Sequence, residues 1–321
     1  MISAFRLSGN RLEPLDASQA LERADWIDLL APSPEEVAAV ARLGLDIPSA
    51  DEMEEIEPSN RLFRRDGVDY MTVVLPVTRE VPLPRVRPVS FILAPDRLVT
   101  VRHHPLRAFE TFLANGEVPV SRDEAPAPEA ILLGLMDAVV GRMADLLEAS
   151  GRALDALMAS IHAPGTGPGV NVLRGALASL GREGELVAQL RQALVTLERA
   201  LGHCAASRAG VESSTEVLRF LQLEQRDIAA LAVHADFLSA RLGQASEVTL
   251  GVINLDQNNT IRIISVVTAL FLPPTLIASI YGMNFAFMPE LGWPLGYPLA
   301  LGLMALASWG TWRYFRSKGW L

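Results

Sequence analysis

Asn258, Ser265, Thr268, Thr275 and Ser279 are neutral oxygen-bearing residues in a stretch of chain almost without charge. No Asp, Glu, Lys or Arg occurs from 263 to 289, and after Glu290 none follows until Arg313. On a helical wheel of about 100° per residue with Asn258 at zero, Ser265, Leu272 and Ser279 fall within roughly 60° of it. Thr268 and Thr275 lie close beside them, while Val266, Val267, Leu270, Pro274 and Ile277 take the opposite face. A row of neutral oxygens on an apolar helix supports two kinds of chemistry. The hydroxyls bond back to their own helix or hold neighbouring helices together; alternatively they line a water-filled conduit. Two spans cannot enclose a pore, so a conduit requires a ring of subunits.

The elements that carry this stripe follow from length and hydropathy. Residues 263–281 and 295–315 can each cross a hydrocarbon core of roughly 30 Å at about 1.5 Å rise per residue. They predict two C-terminal transmembrane helices joined by a short hairpin, 282–294. Arg262 precedes the first span, whereas Arg313, Arg316 and Lys318 follow the second. The hairpin holds no Lys or Arg, so the positive-inside rule places both termini in the cytoplasm and the hairpin outside. Pro273-Pro274 in mid-span reads as a kink, tolerated in membranes where neighbours or water satisfy the freed carbonyls.

The chain before the spans reads as water-soluble. Residues 1–6, 24–30, 70–77, 88–93 and 98–101 are predicted strands, and 34–43, 50–56 and 106–115 predicted helices. Asp66-Gly67 and Asp96-Arg97 sit between β-rich runs as tight turns. These elements predict an N-terminal α/β domain over 1–120. From 121 the pattern becomes helical: 130–162, then 172–204, then a helix starting at Thr215. The last meets no proline before Pro273. It therefore runs into the first span as one rod of about 65 residues and roughly 100 Å. The predicted architecture is α+β: the N-terminal domain, a long-helix stalk or funnel over 121–262, and a transmembrane domain over 263–321.

Composition excludes several functions. The 321 residues carry a net charge of -9 with no long basic run, which argues against nucleic acid. No apolar leader opens the chain, so the soluble part is expected in the cytoplasm. Cys204 is the single cysteine, so no intramolecular disulfide forms. His103-His104 and His203-Cys204 lack the further ligands of a zinc site. The acidic run Asp51, Glu52, Glu54, Glu55 and Glu57 reads as a solvated face. No phosphate-binding loop and no nucleophile paired with a base are present, so no enzyme is predicted.

The hairpin adds a sharper signal. YGMNF, Tyr281 to Phe285, is followed by MPEL, Met288 to Leu291, between two C-terminal spans. In this setting the chain resembles the CorA magnesium transport family. The similarity extends back through FLPPTLIASI, Phe271 to Ile280, and forward through Gly296-Tyr297-Pro298. The resemblance implies a homopentamer in the cell inner membrane, with a pore lined by the first span and passive Mg2+ influx; Co2+ and Ni2+ are often carried as well. It implies a selectivity motif at Gly282, Met283 and Asn284, a cytoplasmic pore asparagine at Asn258, a pore threonine at Thr275 and a hydrophobic constriction at Leu272. It also implies that Mg2+ bridges carboxylates between neighbouring cytoplasmic domains and holds the pore shut. Asp227 from one subunit and Glu80 from its neighbour are the candidates, with ordinary solvated carboxylates as the alternative.

Elementary ion chemistry is consistent with that implication. Mg2+ demands octahedral oxygens and sheds water reluctantly. A ring of Asn284 amide oxygens accepts hydrogen bonds from its waters without stripping them, and neutral ligands release what a narrow carboxylate ring would hold. One departure stands out. Many relatives carry an acidic residue directly after GMNF, where this chain has Ala286, leaving Glu290 as the only hairpin carboxylate. Zn2+ transport by a related branch of the superfamily, and a membrane-anchored Mg2+ sensor that conducts nothing, are the competing readings.

Overall fold

Asp66 and Gly67 set the register of one sheet edge. Both adopt the left-handed conformation, with φ of 50° and 83°, which suits a two-residue turn whose twist matches the flanking strands. They join β4 (Leu62–Arg65) to β5 (Val68–Val77) in antiparallel register, Arg65 opposite Val68. The computed structural model describes the whole chain except residues 16–20, 56, 58–60, 78–84, 121–124, 162–168, 209–214, 284–287 and 321, and the side chains of 85, 170, 290 and 291.

Among the described residues, seven strands form one sheet in the order β2-β1-β3-β7-β6-β5-β4. Besides β4 and β5 these are β1 (Ile2–Ser8), β2 (Arg11–Leu15), β3 (Trp26–Leu30), β6 (Arg85–Leu93) and β7 (Leu98–Arg102). Every pairing is antiparallel except β3 with β7. The edge strand β2 has no counterpart among the predicted strands. It is short and contains Pro14, which an edge strand tolerates because one side makes no ladder bonds. The strand expected over 88–93 begins earlier, at Arg85, since Val77 pairs with Arg85 and extends the ladder.

Alternation along the strands feeds two cores. Trp26, Met71, Val73, Leu75, Phe91 and Leu98 point to one face. Ile27, Leu29, Tyr70, Ile92, Val99 and Val101 point to the other. The second face is covered by α1 (Pro34–Ala41) and α2 (Ala50–Glu54), through Val40 and Met53. Each of these helices begins in a complete capping box, Ser33 with Glu36 and Ser49 with Glu52. The first face packs on α3 (Arg107–Asn115) and α4 (Ala127–Ile161), through Phe109, Phe112, Ile131 and Leu135.

Ion pairs reinforce this packing. Arg102 reaches Asp28 across the parallel pair at 2.8 Å, and its guanidinium lies over the Phe109 ring. Arg208, at the end of α5 (Val170–Arg208), joins Asp69 on β5 and Glu129 on α4, each at 2.8 Å. Gly134 lets α3 approach α4 closely: a Cβ there would lie 2.6 Å from the Phe112 ring.

The expected rod is present as α6 (Thr215–Tyr281), 67 residues with Pro273 and Pro274 inside it. The last helix, α7 (Gly296–Ser317), has 22 residues. The chain separates into two compact units, Met1–Pro168 with Arg174–Ser246, and Gly169–Leu173 with Glu247–Leu321.

Candidate functional site

Among the described residues, α6 is the one helix long and apolar enough to cross a membrane, and only 6% of its apolar window is buried within the chain. An apolar surface of that extent left uncovered belongs in lipid or against further copies of the same helix. The second predicted span, α7, is diluted by glycines and aromatic residues.

Ser265, Thr268, Leu272, Thr275 and Ser279 are all exposed on α6, as is Asn258 below them. Val266 is buried. The hydroxyls donate back to the helix: Ser265 to the Ile261 carbonyl at 2.8 Å, Thr268 to Ile264 at 2.8 Å and Thr275 to Leu272 at 2.9 Å. Back-bonding, the first of the two chemistries above, thus occurs at these three positions. It does not exhaust them, because a hydroxyl that has donated its proton keeps lone pairs for accepting. A surface of acceptors suits water molecules whose hydrogens point outward, as they do around a cation. Leu272 interrupts the row with an apolar side chain 60% exposed.

Helix α6 ends with the Gly282 amide donating to the Ala278 carbonyl at 2.9 Å and that of Met283 to Ile280 at 3.2 Å. Gly282 is not in the left-handed region. The restriction on a side chain there is proximity, since a Cβ would sit 3.2 Å from the Ala278 carbonyl oxygen. Met283 is exposed. Asn284 and Ala286 lie outside the described residues, and Glu290 falls in a short 3-10 helix, Pro289–Gly292.

The regulatory candidates divide similarly. Glu80 lies outside the described residues. Asp227 is exposed on α6, and two neighbours missed by sequence reasoning share its field. Glu224, one turn earlier, is 3% exposed, and its Oε2 has no hydrogen-bond partner. Burial foremost, then Asp137 and Asp227, pushes its carboxyl up to about 7. Asp137 on α4 is raised by burial and then by Asp227. The three-residue spacing of Glu224 and Asp227 was visible in the sequence; the approach of Asp137 from another helix was not. Among the described residues no group of three or more His, Cys, Asp or Glu side chains is arranged to hold a metal. Cys204 is buried, with its thiol pushed up to about 11 chiefly by that burial, so it is no thiolate ligand.

A single sheet domain, long helices and one uncovered apolar helix define a membrane protein of mixed α+β architecture. Residues 22–317 match the family model described as CorA-like Mg2+ transporter protein. The chain is 34% identical to the magnesium transport protein CorA of Pasteurella multocida (strain Pm70), over the full length of both. It is also 34% identical to that of Escherichia coli (strain K12), again over the full length of both. Its structure is similar to the CorA magnesium transporter of Methanocaldococcus jannaschii, with a TM-score of 0.78 at 19% identity, covering 100% of this chain and 99% of the other. This chain belongs to the CorA family of Mg2+ transporters.

Proposed function

We propose that this chain forms a passive Mg2+ channel of the cell inner membrane, a homopentamer whose pore is lined by α6. In this reading residues 1–120 and 121–262 are cytoplasmic, 263–321 cross the membrane twice, and both termini face the cytoplasm. The observation that carries it is the exposed acceptor row of α6: Asn258, then Ser265, Thr268, Thr275 and Ser279 in the helix's uncovered apolar stretch. Full-length similarity to proteins named for magnesium transport supports it.

The mechanism follows from the reluctance of Mg2+ to lose water. The ion approaches hydrated, drawn by the membrane potential and by Glu290, the only hairpin carboxylate. The Gly282-Met283-Asn284 segment receives it, with Asn284 amide oxygens accepting from its water shell. Below, the hydroxyls of α6, their own protons already committed to backbone carbonyls, accept further water hydrogens. Weak neutral contacts let the ion leave as readily as it enters. Leu272 side chains form a ring that stops flow when dry. Cytoplasmic Mg2+ bridging Asp227 of one subunit and Glu80 of the next offsets their mutual repulsion and keeps the pore closed. Co2+ and Ni2+, of similar charge and hydration, follow the same path. The protein is a transporter and catalyses no covalent step.

Mg2+ entry into vesicles carrying the purified protein tests this reading, with Co2+, Ni2+ and Zn2+ compared in the same assay. Asn284→Ala is expected to lower Mg2+ flux or its preference over monovalent ions by at least about tenfold. Unchanged flux and selectivity would remove Asn284 from the path. Background flux in the unaltered protein, with Mg2+ still altering protease resistance, would instead identify a sensor.

A further inference from the structure

The last two turns of α7 carry a feature that ion conduction does not use. Trp309, Trp312, Arg313 and Arg316 fall within about 100° of one helix face. The Arg313 guanidinium lies over the Trp309 ring at 5.9 Å, and that of Arg316 over Trp312 at 4.9 Å. Both pairs are spaced four residues apart, the interval that brings side chains together on a helix. The helix then closes in a complete Schellman motif. Gly319 adopts a φ of 69°, the Trp320 amide donates to Phe315 at 3.0 Å and the Gly319 amide to Arg316 at 3.1 Å. The Trp320 ring packs back on Phe315 at 5.6 Å. The tail is folded, and its side chains are held.

We infer that this face is a binding site for the phosphate headgroups of anionic phospholipids in the leaflet on the C-terminal side of α7. The inference rests on the reading of α7 as a membrane span. An arginine held over an indole still presents N–H groups, and these match phosphate oxygens. Among the described residues neither guanidinium has an acidic partner, and α7 contains no carboxylate at all. Lys318 adds a third exposed positive charge. Position argues for lipid over a soluble anion. The preceding turns expose Leu299, Leu301, Leu303 and Leu306, so the basic face adjoins an uncovered apolar surface that suits hydrocarbon. The other end of the helix supplies a contrast: Trp293 and Tyr297 are exposed there too, with no Lys or Arg. Aromatic side chains mark both membrane boundaries, and only one of them is equipped to hold phosphate.

The test places the full-length protein in phosphatidylcholine vesicles containing increasing fractions of phosphatidylglycerol, with either lipid brominated to quench tryptophan. The expected result is stronger quenching by the brominated anionic lipid. Each basic residue near the surface contributes about fivefold, so R313Q/R316Q loses at least about tenfold of the preference. R313K/R316K, which keeps the charge and loses the flat fork, loses part of it. Equal quenching by both lipids, or an unchanged preference in R313Q/R316Q, overturns the site. Full preference in the lysine pair overturns the stacked arrangement in favour of bare charge. Loss of the preference on adding millimolar inorganic phosphate at constant ionic strength identifies a soluble-phosphate site and overturns the lipid assignment. Protein that floats with neither vesicle type overturns the membrane reading and the proposal with it; protein that inserts normally without preference overturns the proposal alone.

Discussion

The sheet strand β5 and the membrane part of α6 are both apolar runs, yet they solve opposite problems. Along β5 the first eight residues are buried, from Val68 to Leu75, and each face of the strand has a core of its own. Its one buried carboxylate, Asp69, is met by Arg208 and Arg64, with His203 at 3.5 Å. Along α6 the apolar window is uncovered, and the polar groups look after themselves by bonding to their own backbone. A strand must find partners for its ladder, whereas a helix satisfies its backbone alone and can present any surface to its surroundings. The sheet region is therefore finished within one chain; the apolar window of α6 is not.

That contrast can be broken most forcefully at Arg208. Arg208→Ala strands Asp69 and Glu129 without their shared cation, and breaking a buried pair typically costs about 3–5 kcal/mol. Thermal unfolding of the purified protein in detergent should show a lower midpoint; an unchanged midpoint would mean that the sheet region does not depend on this internal pairing.

Glu224 sharpens the comparison through pH. Its folded-state value, about 7, lies above the ordinary 4.5. The folded protein then holds a proton that the unfolded chain releases, so stability falls as pH rises from about 4.5 to 7. Glu224→Gln keeps the shape without the charge. It should be more stable than the unaltered protein by about 3 kcal/mol at pH 8 and nearly equal to it at pH 4. A constant difference across that range would contradict the assigned protonation.

Gly134→Ala forces the Phe112 ring away from α4. Overpacking of this kind costs about 1–3 kcal/mol, measurable in the same melts, and no cost would show that α3 can withdraw. Least of all is expected from Ser265→Ala. The lost hydroxyl bonds only its own helix, so stability should change by less than about 0.5 kcal/mol. A large loss there would mean that the hydroxyl already has a structural partner and is no free acceptor.

Much of this was legible along the chain. The uncharged stretch and the proline-free run from Thr215 predict the long helix and its uncovered apolar part, because hydropathy and helix continuity are local properties. Asp66-Gly67 predicts its turn for the same reason: only certain residues enter the left-handed conformation cheaply. The helix expected over 172–204 runs on to Arg208, and nothing local shows why. The extra turn carries Arg208 to Asp69 and Glu129, partners 139 and 79 residues away. The edge strand β2 was missed because its sequence is ordinary and its order comes from pairing with β1.

What the linear chain decided alone is which stretch of α6 is apolar, which face of it bears oxygens, and the family to which the whole belongs. Hydropathy, spacing and motif suffice for these, since each is set by neighbours in sequence. What only folding decided is which carboxylates are neutralised, which share a field and which guanidiniums rest on indoles. Asp137, Glu224 and Asp227 come from two helices, and Asp69, Glu129 and Arg208 from a strand, one of those helices and a third. Their charges interact because packing brings them within range and removes the water that would otherwise screen them.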